Sequence, residues 1–387
     1  MTAPRRVLFL TTTALEYGGV GRYSRYQIDA LREIFGREGV RALSLLGPDP
    51  AASVSFPLDW HGRGPRSGSV DRARFSLGAA ALALSWGPDV IHCAHVNLTP
   101  LGVRLAQLCG ASTVLNVYGL ELWSGLSNAR RAAMARMGRL IADCHATADH
   151  VVRERLHADP PDVIWDCADL DRFRPGSPPP HLFKRYGLPD PDRYRIVLTL
   201  GRLSVGARHK GYDRLLDIWG DVRARVPQAR LVFAGRGDDA DRLRVKAAKL
   251  GHADSVVFTG SVDEEDLAAI YRTAHVFSLV SDKGTGRGEG IPLTPIEAMA
   301  SGVPVLVGNE DGSMEAVDDT RNGIVVSPRD PARMTDALVD LLTEKGENRA
   351  ARVNEARRVA EERFGYRAFL AKHRDFFGVP RPSDPPL

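Results

Sequence analysis

A chain of 387 residues exceeds what one hydrophobic core usually organises, since single cores stop growing at roughly 250 to 300 residues, so the length asks for two domains. With 43% hydrophobic and 26% charged residues, the composition is that of an ordinary globular protein and excludes disordered, fibrous and disulfide-scaffold classes. The formal net charge of +4 comes from bases interleaved with acids and unaccompanied by aromatic stacking motifs, which excludes a nucleic-acid tract.

The chain opens on an apolar strand, Val7 to Thr12, whose run is too short for the core of a secretory signal. No stretch approaches the roughly 18 apolar residues of a membrane span, so the expected location is cytoplasmic. A helix follows from Gly21 to Phe35, then strands at Val40 to Leu46 and Asp89 to Cys93, a helix at Pro100 to Leu108, and strands at Ser112 to Val117 and Asp162 to Trp165. Asn128 to Leu140 is patterned as one amphipathic helix. Its Arg130, Arg131, Arg136 and Arg139 suit either a solvated face or weak attraction to anionic headgroups or a phosphorylated acceptor. Cys93, Cys109, Cys144 and Cys167 have no metal-ligand spacing and read as reduced thiols. His92 and His95 flank Cys93 at the end of a strand with no further ligand cluster to complete a metal site.

The prolines from Pro175 to Pro180, then Pro189 and Pro191, break the pattern and mark a linker over 177–194. A second alternation then begins: strand Ile196 to Leu200, helix Tyr212 to Val226, strand Arg230 to Ala234, helix Asp239 to Leu250, strand Val256 to Thr259 and helix Glu264 to Thr273. It continues with strand Val276 to Leu279, helix Thr294 to Ala300, and strands Val303 to Val307 and Gly323 to Val326. Strand–helix alternation in both halves means parallel α/β architecture: two Rossmann-like domains, 1–176 and 195–364, facing across a deep cleft that holds the ligand.

Three loops carry candidate chemistry. Gly18-Gly19-Val20-Gly21 nearly matches a dinucleotide fingerprint, but Ser24 stands where its last glycine belongs and the nearest acid, Asp49, lies past the required position. What remains is either a plain strand-to-helix turn or a phosphate approach at a helix N-terminus. After Leu200, Gly201-Arg202 and Lys210-Gly211 flank one loop. An arginine fork and a lysine point charge there can bracket a diphosphate. Glu289 sits in a glycine loop and Glu297 one turn into the next helix. Either they are one solvated and one helix-stabilising acid, or they face a ligand, with Glu297 accepting from ribose hydroxyls and the backbone of Gly290, Ile291, Pro292 and Leu293 close to it.

Glu289 and Glu297 resemble the E-x7-E motif of retaining glycosyltransferases of the GT-B fold, in the large glycogen-synthase-like group called family 4. Gly18-Gly19, Tyr118 to Trp123, Asp169 with Phe173-Arg174-Pro175, and Gly201-Arg202 with Lys210-Gly211 follow that family in order along most of the chain. The resemblance implies a nucleotide-sugar donor with its diphosphate on Arg202 and Lys210, its ribose on Glu297, and the transferred sugar on Glu289 and the backbone of Gly290 to Leu293. Gly18 and Gly19 would approach the phosphate, and Arg236, Gly237 and Val262 the nucleobase. Tyr118 and Glu121 would lie on the acceptor side. It also implies transfer of a hexose to a hydroxyl acceptor in polysaccharide or glycolipid assembly, retention of configuration, no metal and no cofactor. The protein would be cytoplasmic or peripheral to the inner face of a membrane, and a final helix, about 365–387, would pack back on the first domain. Two other readings stand beside it, a GT-B-like nucleotide-sugar epimerase or isomerase and a small-molecule glycosyltransferase. The chain departs from the family at Tyr118, where a histidine is usual, at Ile291-Pro292, where Phe-Gly is usual, and at Cys167-Ala168, where Asn-Gly is usual. Pro292 removes one amide from the sugar side.

Overall fold

Eleven short apolar runs read from the sequence become strands, and two more, at Trp60–His61 and Arg139–Ala142, join them. In the computed structural model, which describes residues 6–16, 18–49, 54–283, 288–318 and 321–380, the chain divides into two compact units, 1–167 with 366–387 and 168–365.

The first unit holds strands β1 (Val7–Thr11), β2 (Val40–Ser44), β3 (Trp60–His61), β4 (Val90–Cys93), β5 (Ser112–Val117), β6 (Arg139–Ala142) and β7 (Asp162–Val163). Its helices are α1 (Gly19–Phe35), α2 (Ser69–Trp86), α3 (Thr99–Cys109), α4 (Leu120–Trp123), α5 (Asn128–Met134) and α6 (His145–Arg153). All strand pairs are parallel, in the order β3-β2-β1-β4-β5-β6-β7. Every residue of β1 is buried, as expected of a central strand covered on both faces.

The segment Asn128 to Leu140 is not one helix. It stops at Met134 and re-enters the sheet as β6, because the chain turns against β5: Gly138 N donates to Thr113 Oγ1 at 2.7 Å, and a Cβ at Gly138 would come within 2.9 Å of Thr113 O. Arg139 therefore belongs to a strand, where it pairs with Asp162.

The second unit begins with α7 (His181–Tyr186) and continues through β8 (Arg195–Leu200), α8 (Tyr212–Arg225), β9 (Ala229–Ala234), α9 (Ala240–Lys249), β10 (Val256–Gly260), α10 (Leu267–Tyr271) and β11 (Val276–Leu279). Then come α11 (Leu293–Ala300), β12 (Val305–Gly308), β13 (Gly323–Val326), α12 (Pro331–Thr343) and α13 (Gly346–Phe364). The sheet order is β10-β9-β8-β11-β12-β13, again all parallel. Helix α8 turns Tyr212, Leu215, Leu216, Trp219 and Val222 inward, spaced three and four apart, and Trp219 Nε1 finds Ser255 Oγ at 3.1 Å in the core. Each such apolar side chain contributes about 1.5–3 kcal/mol when fully buried.

Residues 168–176, assigned from sequence to the first domain, pack in the second: Phe173 is buried edge-on to Tyr271 at 5.8 Å, and Ala168 N donates to Phe364 O at 2.9 Å. The 177–194 segment is not bare linker either, since it contains α7, whose Tyr186 donates to Asp266 Oδ2 at 2.7 Å. After Gly365 the chain returns to the first unit as α14 (Tyr366–Phe377), which packs on α1. Its His373 is fully buried against Gln27 Nε2 at 3.1 Å. Gln27 in turn donates to Asn116 Oδ1 at 3.2 Å, and His92 Nε2 meets that same oxygen at 2.9 Å. Both histidines are pushed down by burial, His92 to about 3 and His373 to about 4, so this polar network is neutral. His92 is therefore a core residue. Of the charged, glycine-rich insertion read from the sequence at 282–288, residues 284–287 lie outside the described residues, as do residues 381–387 of the proline-rich tail at 379–387.

Candidate active site

In the second unit the chain runs from β8 outward to β9 and β10, then crosses back to β11 and on to β12 and β13. The order reverses between β8 and β11, and the crevice beyond the carboxyl ends of those two strands is where open parallel sheets bind ligands. The loops after β8 and β11 meet there. A 3-10 turn, Val205–Lys210, links β8 to α8, and its His209 carbonyl accepts from Asp282 N, just past β11, at 2.9 Å. Gly211, with φ +83°, completes the contact: a Cβ there would lie 2.2 Å from Val280 O, so no larger residue lets the turn seat on β11.

This seating brings Lys210 and Glu289 together. Lys210 Nζ and His209 Nε2 each lie 2.7 Å from the same carboxylate oxygen, Glu289 Oε1. Burial pushes the Glu289 carboxyl up, but the Lys210 charge and the two hydrogen bonds outweigh it and hold the group at about 2, so it is ionised throughout the physiological range. The Glu289 backbone is held as well. Its amide donates to the buried Asp311 Oδ2 at 2.8 Å, and its carbonyl accepts from Gly312 N at 3.1 Å. Arg208 is locked on the far side by Asp239, which accepts from Arg208 Nη2 at 2.6 Å and from Arg242 Nε at 2.7 Å.

The other residues singled out from sequence fall around this pair in different ways. Arg202, on the loop after β8, is exposed and has no ion pair among the described residues. Arg236 and Gly237 follow β9 and are exposed, and the Arg236 carbonyl accepts from Leu203 N at 3.0 Å, which zips the β8 and β9 loops together. Val262 follows β10 and is half-buried. Gly290 to Pro292 lead into α11, which begins at Leu293, with Ile291 and Pro292 buried. Glu297 is 2% exposed, and Tyr271 donates to its Oε2 at 2.7 Å. The Phe173 motif thus supports the second glutamate from behind, through Tyr271. Sequence reasoning missed His209, Tyr271 and Asp311. His209 adjoins Lys210 and could have been weighed with it, whereas Tyr271 and Asp311 reach the glutamates only through the fold.

In the first unit, Gly18 and Gly19 lie at the N-terminus of α1, with no atom within 4 Å of where a Cβ would sit on either. Gly21 answers a packing need instead, since a Cβ there would meet Glu16 O at 2.9 Å. Tyr118 follows β5. Burial pushes its phenol far up, so it serves as a hydrogen-bonding group and not as a base near neutral pH. Glu121 is turned back on its own loop, accepting from Tyr118 N at 2.8 Å, and burial raises its carboxyl. His95, after β4, lies 6.4 Å from the Tyr118 ring and is pushed down to about 4 by burial. A groove of about 530 Å³ on this unit, lined by His145, Asp149, Trp165, Lys372 and Phe376, contains none of the sequence-identified residues. Among the described residues, the one acidic group with metal-ligand spacing is Asp263, Glu265 and Asp266. It is already engaged by Arg185, and by His181 at Asp266.

The family model for glycosyl transferases group 1 matches residues 183–359, the stretch that carries Arg202, Lys210, Glu289 and Glu297. That match takes in most of the second unit. Among characterised proteins, the chain is 36% identical over 255 residues to the GDP-mannose-dependent alpha-(1-6)-phosphatidylinositol monomannoside mannosyltransferase of Mycobacterium tuberculosis, covering 62% of this chain and 63% of that one. It is 32% identical over 276 residues to a D-inositol 3-phosphate glycosyltransferase of Frankia alni, covering 68% of this chain and 62% of that one. The chain thus spans less than two thirds of the length of these relatives. Anabaena Alr3699/HepE in complex with UDP superimposes with a TM-score of 0.76 at 17% identity, covering 96% of this chain and 99% of that one. The sucrose-phosphate synthase of Thermosynechococcus elongatus gives 0.75 at 21%, covering 97% and 98%. These superpositions show a GT-B fold, and the two parallel sheets expected from the sequence are present.

Proposed function

We propose that this protein is a retaining, metal-independent hexosyltransferase that moves a sugar from a nucleoside diphosphate to a hydroxyl of a glycolipid or growing polysaccharide. The observation that carries this is the Lys210–Glu289 pair at the β8/β11 switch point, ahead of α11. A sugar diphosphate leaves by heterolysis, so negative charge builds on the β-phosphate as the sugar becomes oxocarbenium-like. Lys210, Arg202 and the amides at the start of α11 stabilise that charge more in the transition state than before it. Arg202 is exposed and open to a phosphate, and the Ile291 and Leu293 amides lie where the partial positive end of α11 favours an anion. Glu289 then accepts from the sugar and Glu297 from the ribose, with Arg236, Gly237 and Val262 beside the base. Retention follows from attack by the acceptor hydroxyl on the face the diphosphate leaves.

The mannosyltransferase and inositol-phosphate names of the relatives support a hexose donor and a phosphorylated or lipid-linked acceptor. Arg130 and Arg131, exposed on α5, would meet an anionic headgroup surface. The test is a thermal-shift panel of GDP, GDP-mannose, UDP and UDP-glucose, since a ligand that binds only the folded state raises the melting temperature. It is followed by donor-only and donor-plus-acceptor incubations read by mass spectrometry. Stabilisation by one diphosphate series and transfer only with acceptor support the proposal; an altered sugar nucleotide in the donor-only incubation makes the protein an epimerase or isomerase instead.

A further inference from the structure

His209 is absent from the residues the sequence singles out, yet it is held from both sides. Arg208 before it is locked on Asp239, Gly211 beyond Lys210 is pressed on Val280, and its own carbonyl is bonded to Asp282 N. Its side chain is 10% exposed. Facing an ionised carboxylate, Nε2 must carry the hydrogen, which leaves Nδ1 as a buried nitrogen without a hydrogen-bond partner among the described residues. Lys210 and His209 both address Oε1 of Glu289, so Oε2 has no protein donor among the described residues.

The two donors are not equivalent. The lysine ammonium sits on a flexible four-carbon stem and follows a charge that moves, whereas an imidazole on a fixed turn donates in one direction. A diphosphate arriving at the switch point competes with Glu289 for Lys210. The histidine has no such second partner. We propose that His209 is a positioning residue for the donor sugar: it fixes the plane of the Glu289 carboxylate when Lys210 turns to the diphosphate, and so presents Oε2 to a hydroxyl of the sugar being transferred. This rests on the glycosyl-transfer reading of the site and adds a residue to it.

The experiment is calorimetric binding of GDP-mannose, GDP, UDP-glucose and UDP to the wild-type chain, His209→Ala, His209→Gln and Glu289→Gln. The quantity read is the ratio of the sugar nucleotide's Kd to that of its diphosphate, for the series the wild-type chain binds more tightly. In His209→Ala the ratio should rise by about tenfold or more, the size of a lost hydrogen bond to a charged group. The diphosphate Kd itself should stay within about threefold, and His209→Gln, whose amide can still donate, should recover most of the loss. The proposal is overturned by an unchanged ratio in His209→Ala, by equal loss of diphosphate and sugar nucleotide, or by a glutamine variant as impaired as the alanine one. A wild-type ratio in Glu289→Gln, or a wild-type chain that binds neither sugar nucleotide, defeats the glycosyl-transfer reading itself and is distinguishable from failure at His209.

Discussion

Replacing Glu289 by glutamine should tighten diphosphate binding while impairing the use of a sugar nucleotide. The carboxyl is held at about 2, against an ordinary 4.5, in spite of burial. That difference corresponds to about 3 kcal/mol of preference for the ionised state, at 1.36 kcal/mol per unit. The Lys210 and Glu289 side chains are 16% and 19% exposed, so solvent screens little of it. Lys210 is the larger of the two stabilising influences, and an arriving diphosphate must loosen its hold on the carboxylate. In Glu289→Gln that competition is gone, and the Kd for GDP or UDP should fall by about tenfold, since 1.4 kcal/mol is a factor of ten. Because the folded carboxyl titrates below the unfolded one, its contribution is fully present above pH 4.5 and is lost as the pH falls toward 2. The gain should therefore be equal at pH 6 and pH 8. The assay is isothermal calorimetry on the wild type, Glu289→Gln, Lys210→Met and the double variant. In the Lys210→Met background the glutamine should bring no gain. Unchanged or weaker diphosphate binding in Glu289→Gln, or a gain that persists without Lys210, would refute the competition.

Tyr271→Phe removes the hydroxyl that donates to buried Glu297, and should cost about 1.5–3 kcal/mol and lower the second domain's melting temperature by a few degrees. An unchanged melting curve would mean that Tyr271 does not hold the carboxylate. Burial keeps His92 and His373 neutral in the folded first domain, with their titration moved down to about 3 and about 4 from 6.5. Their contribution is complete above pH 6.5 and is lost as the pH falls, at about 1.4 kcal/mol per pH unit for each. His95, lowered to about 4 in the same unit, adds a third such share, so His373→Gln should lower the pH slope of the first domain's urea stability between pH 6.5 and 5 by about a third, and an undiminished slope contradicts it. Arg130→Glu combined with Arg131→Glu should abolish co-sedimentation with phosphatidylglycerol vesicles, whereas equal pelleting of wild type and variant counts against membrane contact by α5.

Most strands of both sheets were legible because a parallel strand covered on two faces must be apolar throughout, as in the fully buried β1, β11 and β12. Helix α2 was not, for a physical reason. Its core face is only Phe75, Ala79 and Ala83, while Val70, Leu77 and Leu84 point to solvent at 66%, 71% and 63% exposure, so its apolar residues do not mark its inside. Helix α13 buries only Ala356, Val359, Ala360 and Phe364 along 19 residues, a stripe too narrow to stand out among its charges. At the candidate site, Glu289, Glu297, Arg202 and Lys210 could be named because their spacing is local to two loops. The partner of Glu297 could not, because Tyr271 lies 26 positions away in sequence. The Asn128 to Leu140 reading failed because a helical charge pattern carries no mark of the turn that Gly138 makes against β5.

The point at which the chain leaves the first unit and the point at which it returns are side by side: Ala168 bridges Gly365 in parallel. Topologically the second unit is therefore an insert with adjoining ends, and the first is assembled from two pieces of sequence. During synthesis the insert is complete before α14 emerges, whereas β1 to β7 wait for Phe369, His373, Phe376 and Phe377 to close their core. Ribosome-bound chains ending near residue 365 should thus carry a finished second unit beside an unfinished first one, whose exposed apolar face is a natural client for chaperones.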